Sequence, residues 1–504
     1  MHGNHLRTIA IVGGGLAGWM AAAAFARLLK KDYCRIVLVE EHEPADAGLA
    51  EGTTPAFQRF NNLLGISEAD FVGATQATFK LGFEFQNWAR RGERYFHTFC
   101  TFGGVIASVP FHHYWLKLRQ LGDETPLEDY SIATVAAKLG RFLRPVEDGK
   151  SILSLYSHAY HFDVDRYARY LRDYARRNGV DPIRGTLLGA TQRSEDGFLE
   201  ELVLDGGRRI AADFFIDCTG FPGRLMEKVL KTGIDDWSGW LPCERAVTLS
   251  SNRSAPLLPY TGSKADAAGW HLSLPLQDRT EHGYYYSNKF VSDDDAARAL
   301  LRDAGEGAPT PPRLSQRAIG RPKKFWNKNC LALPGGYLGP LEATTVHMAQ
   351  TGILKLFGVF PDRTFNASDS DEYNRLTGIE FERARDFLIL HYCATERDDA
   401  PLWDHCWHMT IPDALRHKIE LFRHSGRVAM LDNEHFGEQS WLSSFVGHNI
   451  LPRRYDPLAD VPDLEDVRRH MRGMAATIRE TAHSMPAHDQ FLAQFRQPAG
   501  ASAP

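Results

Sequence analysis

The chain has 504 residues, 43% hydrophobic and 24% charged, with a formal net charge of −5. A chain this long buries a sizeable core without disulfide or metal staples. Its slightly acidic balance gives no electrostatic pull toward nucleic acid or an anionic membrane, and neither is expected as a partner. The seven cysteines (Cys34, Cys100, Cys218, Cys243, Cys330, Cys393 and Cys406) form no CxxC pair and no Cys/His metal spacing. They read as reduced thiols in a cytoplasmic protein that holds no metal. The polar start, Met1 to Thr8, lacks a signal-peptide core, and no apolar run is long enough to cross a bilayer.

In chain order, the β-branched run Thr8 to Val12 predicts a strand, an alanine-rich helix is expected over about Trp19 to Leu29, and a second strand runs from Arg35 to Val39 and ends at Glu40. Between the first strand and the helix lie Gly13, Gly15 and Gly18 in the spacing GxGxxG. Alone this spacing is a weak signal, since a glycine-rich turn needs no ligand. A preceding strand, a following helix and an acidic residue some way beyond are the context of a dinucleotide site. Gly13 permits the tight turn, Gly15 lets the backbone approach a pyrophosphate, and Gly18 permits close helix–strand packing. The helix N-terminus at Leu16 and Ala17 offers N–H groups to the phosphates, and Glu40 accepts from ribose hydroxyls.

Residues 46 to 100 read as loop and helix, and 161 to 177 as a helix rich in Tyr and Arg. Residues 198 to 204 and 209 to 215 read as a hairpin around Asp205-Gly206-Gly207. The strand ending at Asp217 leads into Cys218-Thr219-Gly220, a turn that favours FAD over NAD. Residues 243 to 292 read as strands, 303 to 315 as a surface loop and 342 to 358 as a helix. From Asp371 the chain is mostly helical and ends in a frayed tail, 497 to 504. The expected organisation is a FAD-binding module with inserted strands over 1–370 and a helical region capping the substrate site over 371–504. The fold class is α/β, with a Rossmann-type FAD-binding domain of the flavin monooxygenase kind.

Four stretches together resemble the flavin-dependent tryptophan halogenase family: Ala77-Thr78-Phe79-Lys80-Leu81-Gly82-Phe83-Glu84-Phe85 with Asn87-Trp88; Asp217-Cys218-Thr219-Gly220-Phe221; Gly339-Pro340-Leu341-Glu342-Ala343-Thr344; and Phe387 to Tyr392 with Arg397-Asp398-Asp399. The resemblance implies that FAD, supplied as FADH2 by a separate NAD(P)H-dependent reductase, reacts with O2. Chloride or bromide is then turned into hypohalous acid, which travels through a tunnel to Lys80. It implies catalytic roles for Lys80 and Glu342, flavin contacts at Asp217, Gly220 and Leu338, and halide held by backbone N–H groups of Thr344 and Thr345. Residue chemistry agrees. An amine can polarise or capture hypohalous acid, and a carboxylate can take the proton lost from a halogenated ring. Without its flanks Lys80 would read as a snorkelling surface lysine, and Glu342 as a carboxylate favoured by a helix N-terminus.

Two departures bear on activity. Near the halide, Ala343 replaces the family's usual Ser, and Thr345 stands where many members have Gly or Ser. Trp270-His271-Leu272-Ser273-Leu274-Pro275 keeps the first tryptophan of Trp-x-Trp-x-Ile-Pro and replaces the second by Leu272. A small electron-rich arene needs flat apolar walls, for which the candidates are His97, Phe102, His113, Trp270 and Trp441, with His112 and Trp115 beside them. The segment Leu431 to Trp441 lacks the Tyr-Tyr pair with which tryptophan-specific members grip the amino-acid backbone, so an indole, another small arene or a larger substrate is expected at least as much as free tryptophan. The competing readings are a flavin-dependent aromatic hydroxylase, favoured by Leu272, and a non-catalytic flavin-binding protein. A homodimer is the oligomer considered.

Overall fold

The computed structural model describes residues 3–29, 33–41, 50–104, 106, 108–305 and 311–495. The chain forms two compact units assembled from interleaved segments. The first comprises 1–77, 162–244 and 316–383, the second 78–161, 245–315 and 384–504. This division differs from a linear boundary at 370/371, which falls inside the 27-residue helix Ala367–Cys393. Of the expected surface loop 303–315, residues 306–310 lie outside the described residues, as does the expected tail 497–504.

The first unit is built on a six-stranded sheet ordered Trp326–Asn327, Cys330–Ala332, Phe214–Asp217, Thr8–Val12, Arg35–Glu40, Asp181–Arg184. All neighbours run parallel except the first pair. Parallel sheets are covered on both faces, and these strands are accordingly short apolar runs, with Ile9, Ala10, Ile11, Phe214, Phe215 and Ile216 completely buried. The helix Leu16–Leu28 packs its alanine run, Ala21 to Ala24, fully inside. Asp163 caps the helix Val164–Arg177 through its carboxylate, which accepts from the Arg166 N–H at 2.8 Å. That cap sets the helix start three residues later than the sequence pattern suggests.

The expected hairpin is present but its second arm divides. Arg209–Ala211 pairs with Leu199–Leu204, whereas Phe214–Asp217 leaves for the parallel sheet beside Thr8–Val12.

The second unit centres on a seven-stranded sheet ordered Arg313–Gln316, Arg245–Asn252, Arg279–Tyr286, Gly269–Pro275, Thr261–Ala265, Gly82–Gln86, Arg94–Thr98. Here the sequence reading of 46 to 100 as loop and helix is corrected. That stretch supplies strands Thr78–Lys80, Gly82–Gln86 and Arg94–Thr98, besides Ala50–Gly52 and the helices Phe57–Leu64 and Glu68–Thr75. Thr78–Lys80 escapes pattern reading because it is three residues long and wholly buried, which removes the alternation that marks a half-exposed strand. Among the described residues no helix is long and apolar enough to cross a membrane.

Candidate active site

The first unit carries the dinucleotide turn. Gly13 has φ +118°, and a Cβ there would lie 2.3 Å from the Cys218 carbonyl oxygen. A Cβ on Gly18 would lie 1.9 Å from the Gly13 carbonyl oxygen. These two glycines are demanded by the protein's own packing. Gly15 differs, because a Cβ there would meet no protein atom within 4 Å. It is the N-cap of the helix that starts at Leu16, and no side chain caps that end. The first-turn N–H groups of Leu16 and Ala17 have no intrahelical acceptor, so this end offers donors and open space to a phosphate. Glu40, at the end of its strand, is buried and ion-paired to Arg172 at 3.1 Å and Arg184 at 3.6 Å.

Asp217 is buried and uses its carboxylate to shape the next turn. One oxygen accepts from the Leu225 and Met226 N–H groups at 2.8 and 2.9 Å, the other from the Thr219 N–H and hydroxyl at 3.1 and 2.6 Å. The turn residue Gly220, φ +90°, again faces open space. Gly339, φ +86°, does the same next to the buried Leu338. Open glycines at a helix N-terminus and in two turns of the same unit leave room for a flat nucleotide cofactor.

A test separates the two kinds of glycine. Gly13→Ala is expected to destabilise the fold by at least about 2 kcal/mol, through strain and clash. Gly15→Ala should melt like wild type yet bind FAD about tenfold more weakly, a loss of ~1.4 kcal/mol. Wild-type FAD affinity in Gly15→Ala would remove Gly15 from the phosphate site.

Glu342 lies in the same unit, completely buried. It and Ala343 both adopt left-handed backbone, φ 61° and 56°, at a cost of roughly 1–2 kcal/mol each. These residues delay the helix to Thr344–Gly358, two residues after the start expected from sequence. A left-handed residue followed by right-handed ones converges successive N–H groups into an anion-binding nest, and here those groups belong to Thr344 and Thr345. The Thr344 hydroxyl donates to the Gly339 carbonyl at 3.4 Å. The same helix is tied to Ala367–Cys393 by Glu380, whose carboxylate takes His347 Nε2 at 3.1 Å, the Thr351 hydroxyl at 3.0 Å and Lys355 Nζ. Burial alone would raise the Glu380 pKa, but the His347 hydrogen bond and the Lys355 charge hold it at about 2.

Lys80 belongs to the second unit and has no solvent exposure. Its Nζ sits 3.3 Å above the centroid of the Phe83 ring, a cation–π contact worth roughly 2 kcal/mol when desolvated. Phe83 and His97 are direct cross-strand partners, and their rings stack 5.6 Å apart at 15°. The path continues from His97 to Phe387 at 5.6 Å, and Phe387 stacks on Phe436 at 3.9 Å and meets Trp441 edge-on at 4.9 Å. One continuous aromatic wall therefore runs from the ammonium to Trp441. Trp441 is fixed by Glu434, which accepts from its Nε1 at 2.8 Å and pairs with buried Lys418.

With this geometry in hand, comparison with known proteins is decisive. The sequence model of the family described as tryptophan halogenase matches residues 8–463. The chain belongs to the tryptophan halogenase family. Tryptophan 6-halogenase ThaL of Streptomyces albogriseolus is 30% identical over 447 residues, covering 83% of this chain and 82% of its own. Among solved structures, the flavin-dependent halogenase Xcc4156 of Xanthomonas campestris is 38% identical, with TM-score 0.94 over 99% of this chain and 100% of its own. The flavin-dependent halogenase BrvH of Brevundimonas sp. BAL3 is 37% identical, with TM-score 0.93 over 98% and 99%. The fold is that of the flavin-dependent halogenases, and this family member is an enzyme.

Within that family frame the predicted pocket residues separate. His97 and Trp441 share the wall that begins at Lys80, and Phe102 joins the helix Glu438–Gly447, which carries Trp441, through its N–H, which donates to Gln439 Oε1 at 3.3 Å. His113 is engaged elsewhere. Its ring lies tilted against His112 at 4.2 Å, and its Nδ1 accepts from the Asp456 N–H at 3.2 Å. His112 bonds the Gly426 carbonyl at 2.8 Å, and Trp115 donates to the Thr125 carbonyl at 2.8 Å. Trp270 stacks on its cross-strand partner Tyr285 at 4.8 Å and donates to the Tyr392 hydroxyl at 2.9 Å. Leu272, two residues along the same strand, is buried. Sequence reasoning missed Phe83, Phe387, Phe436, Glu434 and Lys418. Phe83 and Phe387 stood inside the quoted family stretches, and the cross-strand register at His97 was the missing signal.

Proposed function

We propose that this chain halogenates a small electron-rich, indole-like arene, using O2 and chloride or bromide, with FADH2 delivered by a separate NAD(P)H-dependent reductase. The observation that carries the reading is a completely buried lysine ammonium at the head of a stacked aromatic wall. A charge is kept out of water only where its chemistry or its partners require it.

FAD supplies the oxygen-activating chemistry that converts halide to hypohalous acid. The turn Gly13–Gly18 and the N–H groups of Leu16 and Ala17 hold its pyrophosphate, Glu40 receives ribose hydroxyls, and the turns at Gly220 and Leu338 line the flavin. The N–H groups of Thr344 and Thr345 hold the halide. Lys80 donates a hydrogen bond to the hypohalous oxygen, which leaves the halogen electrophilic. The ring π-electrons form the carbon–halogen bond as the oxygen–halogen bond breaks. Glu342 accepts the ring proton from the arenium and passes it on, so arene plus hypohalous acid becomes haloarene plus water. His97, Phe436 and Trp441 hold the arene flat. The buried Lys418 and Glu434 that bracket Trp441 are paired with each other, which suits a neutral arene better than a zwitterionic amino acid.

Incubation with a flavin reductase, NADH, FAD, bromide or chloride, and an arene panel headed by indole and tryptophan is expected to give a halide-dependent haloarene by mass spectrometry, indole ahead of tryptophan. A hydroxylated product formed equally without halide would instead support the second reading, oxygen transfer, which Leu272 in place of the family's second tryptophan favours.

A further inference from the structure

We propose that His161 and His488 are positioning residues for Lys80, two imidazoles that clasp the three-residue strand Thr78–Lys80 and set the place of its ammonium. This rests on the reading of Lys80 as the group that guides the oxidant.

The strand is short, and its backbone partner is Ala159–His161, with Thr78 opposite His161 and Lys80 opposite Ala159. Side chains on one face of the strand, Thr78 and Lys80, therefore share their setting. The Thr78 hydroxyl donates its single proton to the Pro275 carbonyl at 2.6 Å. Its 3.0 Å contact with His161 Nδ1 must then be donated by the imidazole. With the proton on Nδ1, Nε2 is the acceptor, and it takes the Thr261 hydroxyl at 2.9 Å. Hydrogen bonding thus fixes the tautomer of a fully buried histidine at both ends. Burial, reinforced by the charge of Lys80 and then by His488, holds the His161 pKa well below its usual range.

His488 grips the next residue. The Phe79 N–H donates to its Nε2 at 3.1 Å, so its proton lies on Nδ1, which donates to the Leu257 carbonyl at 3.3 Å. The Phe79 side chain, on the opposite face from Lys80, stacks on Phe142 at 4.4 Å and meets Phe491 edge-on at 5.2 Å. A residue more than 400 positions along the chain thereby holds the backbone next to the proposed catalytic lysine. Both imidazoles have every nitrogen engaged, which leaves the strand one register.

The tautomers give the two positions opposite tolerances. Asparagine places an amide N–H near Nδ1, whereas glutamine places its terminal carbonyl near Nε2. At 161 the strand needs the Nδ1 donor, so His161→Asn should be tolerated and His161→Gln should not. At 488 it needs the Nε2 acceptor, so the order reverses. The readout is the partition of oxidant between haloarene and hypohalous acid caught in solution by monochlorodimedone, with FAD affinity and melting temperature measured alongside. His161→Gln and His488→Asn are expected to lower that partition at least about tenfold, and the tolerated pair to stay within about twofold, as for a displaced reacting group.

A structural role alone would reduce the folded fraction and leave the partition unchanged. The same rank order at both positions, or an unchanged partition, would overturn the clasp while Lys80→Met still abolishes halogenation. Full activity in Lys80→Met would overturn the Lys80 reading and the clasp with it. Should a histidine variant not fold, Thr78→Val tests the same joint by removing the acceptor of the Nδ1 proton. It is expected to lower the partition, and wild-type partition there would contradict the clasp.

Discussion

Lys80→Ala is expected to abolish halogenation, with at least a 100- to 1,000-fold loss of haloarene, the scale on which a positioned donor in a dry site acts. FAD binding should be retained, because the dinucleotide turn lies in the other compact unit of the chain. Oxygen consumption and halide oxidation should continue, so hypohalous acid formed but not directed would accumulate in the trap. Removing a buried charge from above the Phe83 ring also changes packing, and Lys80→Met controls for volume. If Lys80 merely filled space, Lys80→Met would halogenate at the wild-type rate and release no excess oxidant.

Glu342→Gln is the second large effect. Glutamine keeps the volume and most hydrogen bonds and loses the ability to take a proton, so the expected loss is roughly 10²- to 10⁴-fold in turnover. Substrate and FAD affinities should stay near wild type. The bland alternative makes Glu342 a carboxylate at the start of the helix Thr344–Gly358, worth about 0.3–1 kcal/mol of stability. Under it, Glu342→Gln would lower the melting temperature slightly and leave turnover alone. The two accounts therefore separate on which quantity moves. The left-handed backbone at Glu342 and Ala343 favours the first, since such strain persists where the surrounding structure enforces a functional geometry.

Much of the nucleotide half was legible in the sequence because its demands are local. Gly18 is fixed by the Gly13 carbonyl within one strand–turn–helix unit and Asp217 by the turn that follows it within nine residues, whereas Gly13, packed against the remote Cys218 carbonyl, was legible through the positive-φ turn that the glycine spacing marks. The strands around Lys80 were not legible, because a three-residue strand buried on both sides carries no alternation. Its partners, His161, Pro275 and His488, come from three remote segments. The aromatic wall was half visible. His97 and Trp441 were singled out, but composition could not tell them from His113 and Trp115, which serve other contacts. Register decided the matter, by setting Phe83 opposite His97.

The central claim is that oxidant leaves the flavin as hypohalous acid and reaches the arene with Lys80 as its guide, and isotopic oxygen tests it most directly. Wild-type enzyme supplied with a reductase, NADH, FAD, bromide, indole and ¹⁸O₂ is predicted to give bromoindole free of ¹⁸O, with no product when bromide is omitted. An indole-derived product that carries ¹⁸O and forms at the same rate without halide would contradict the account.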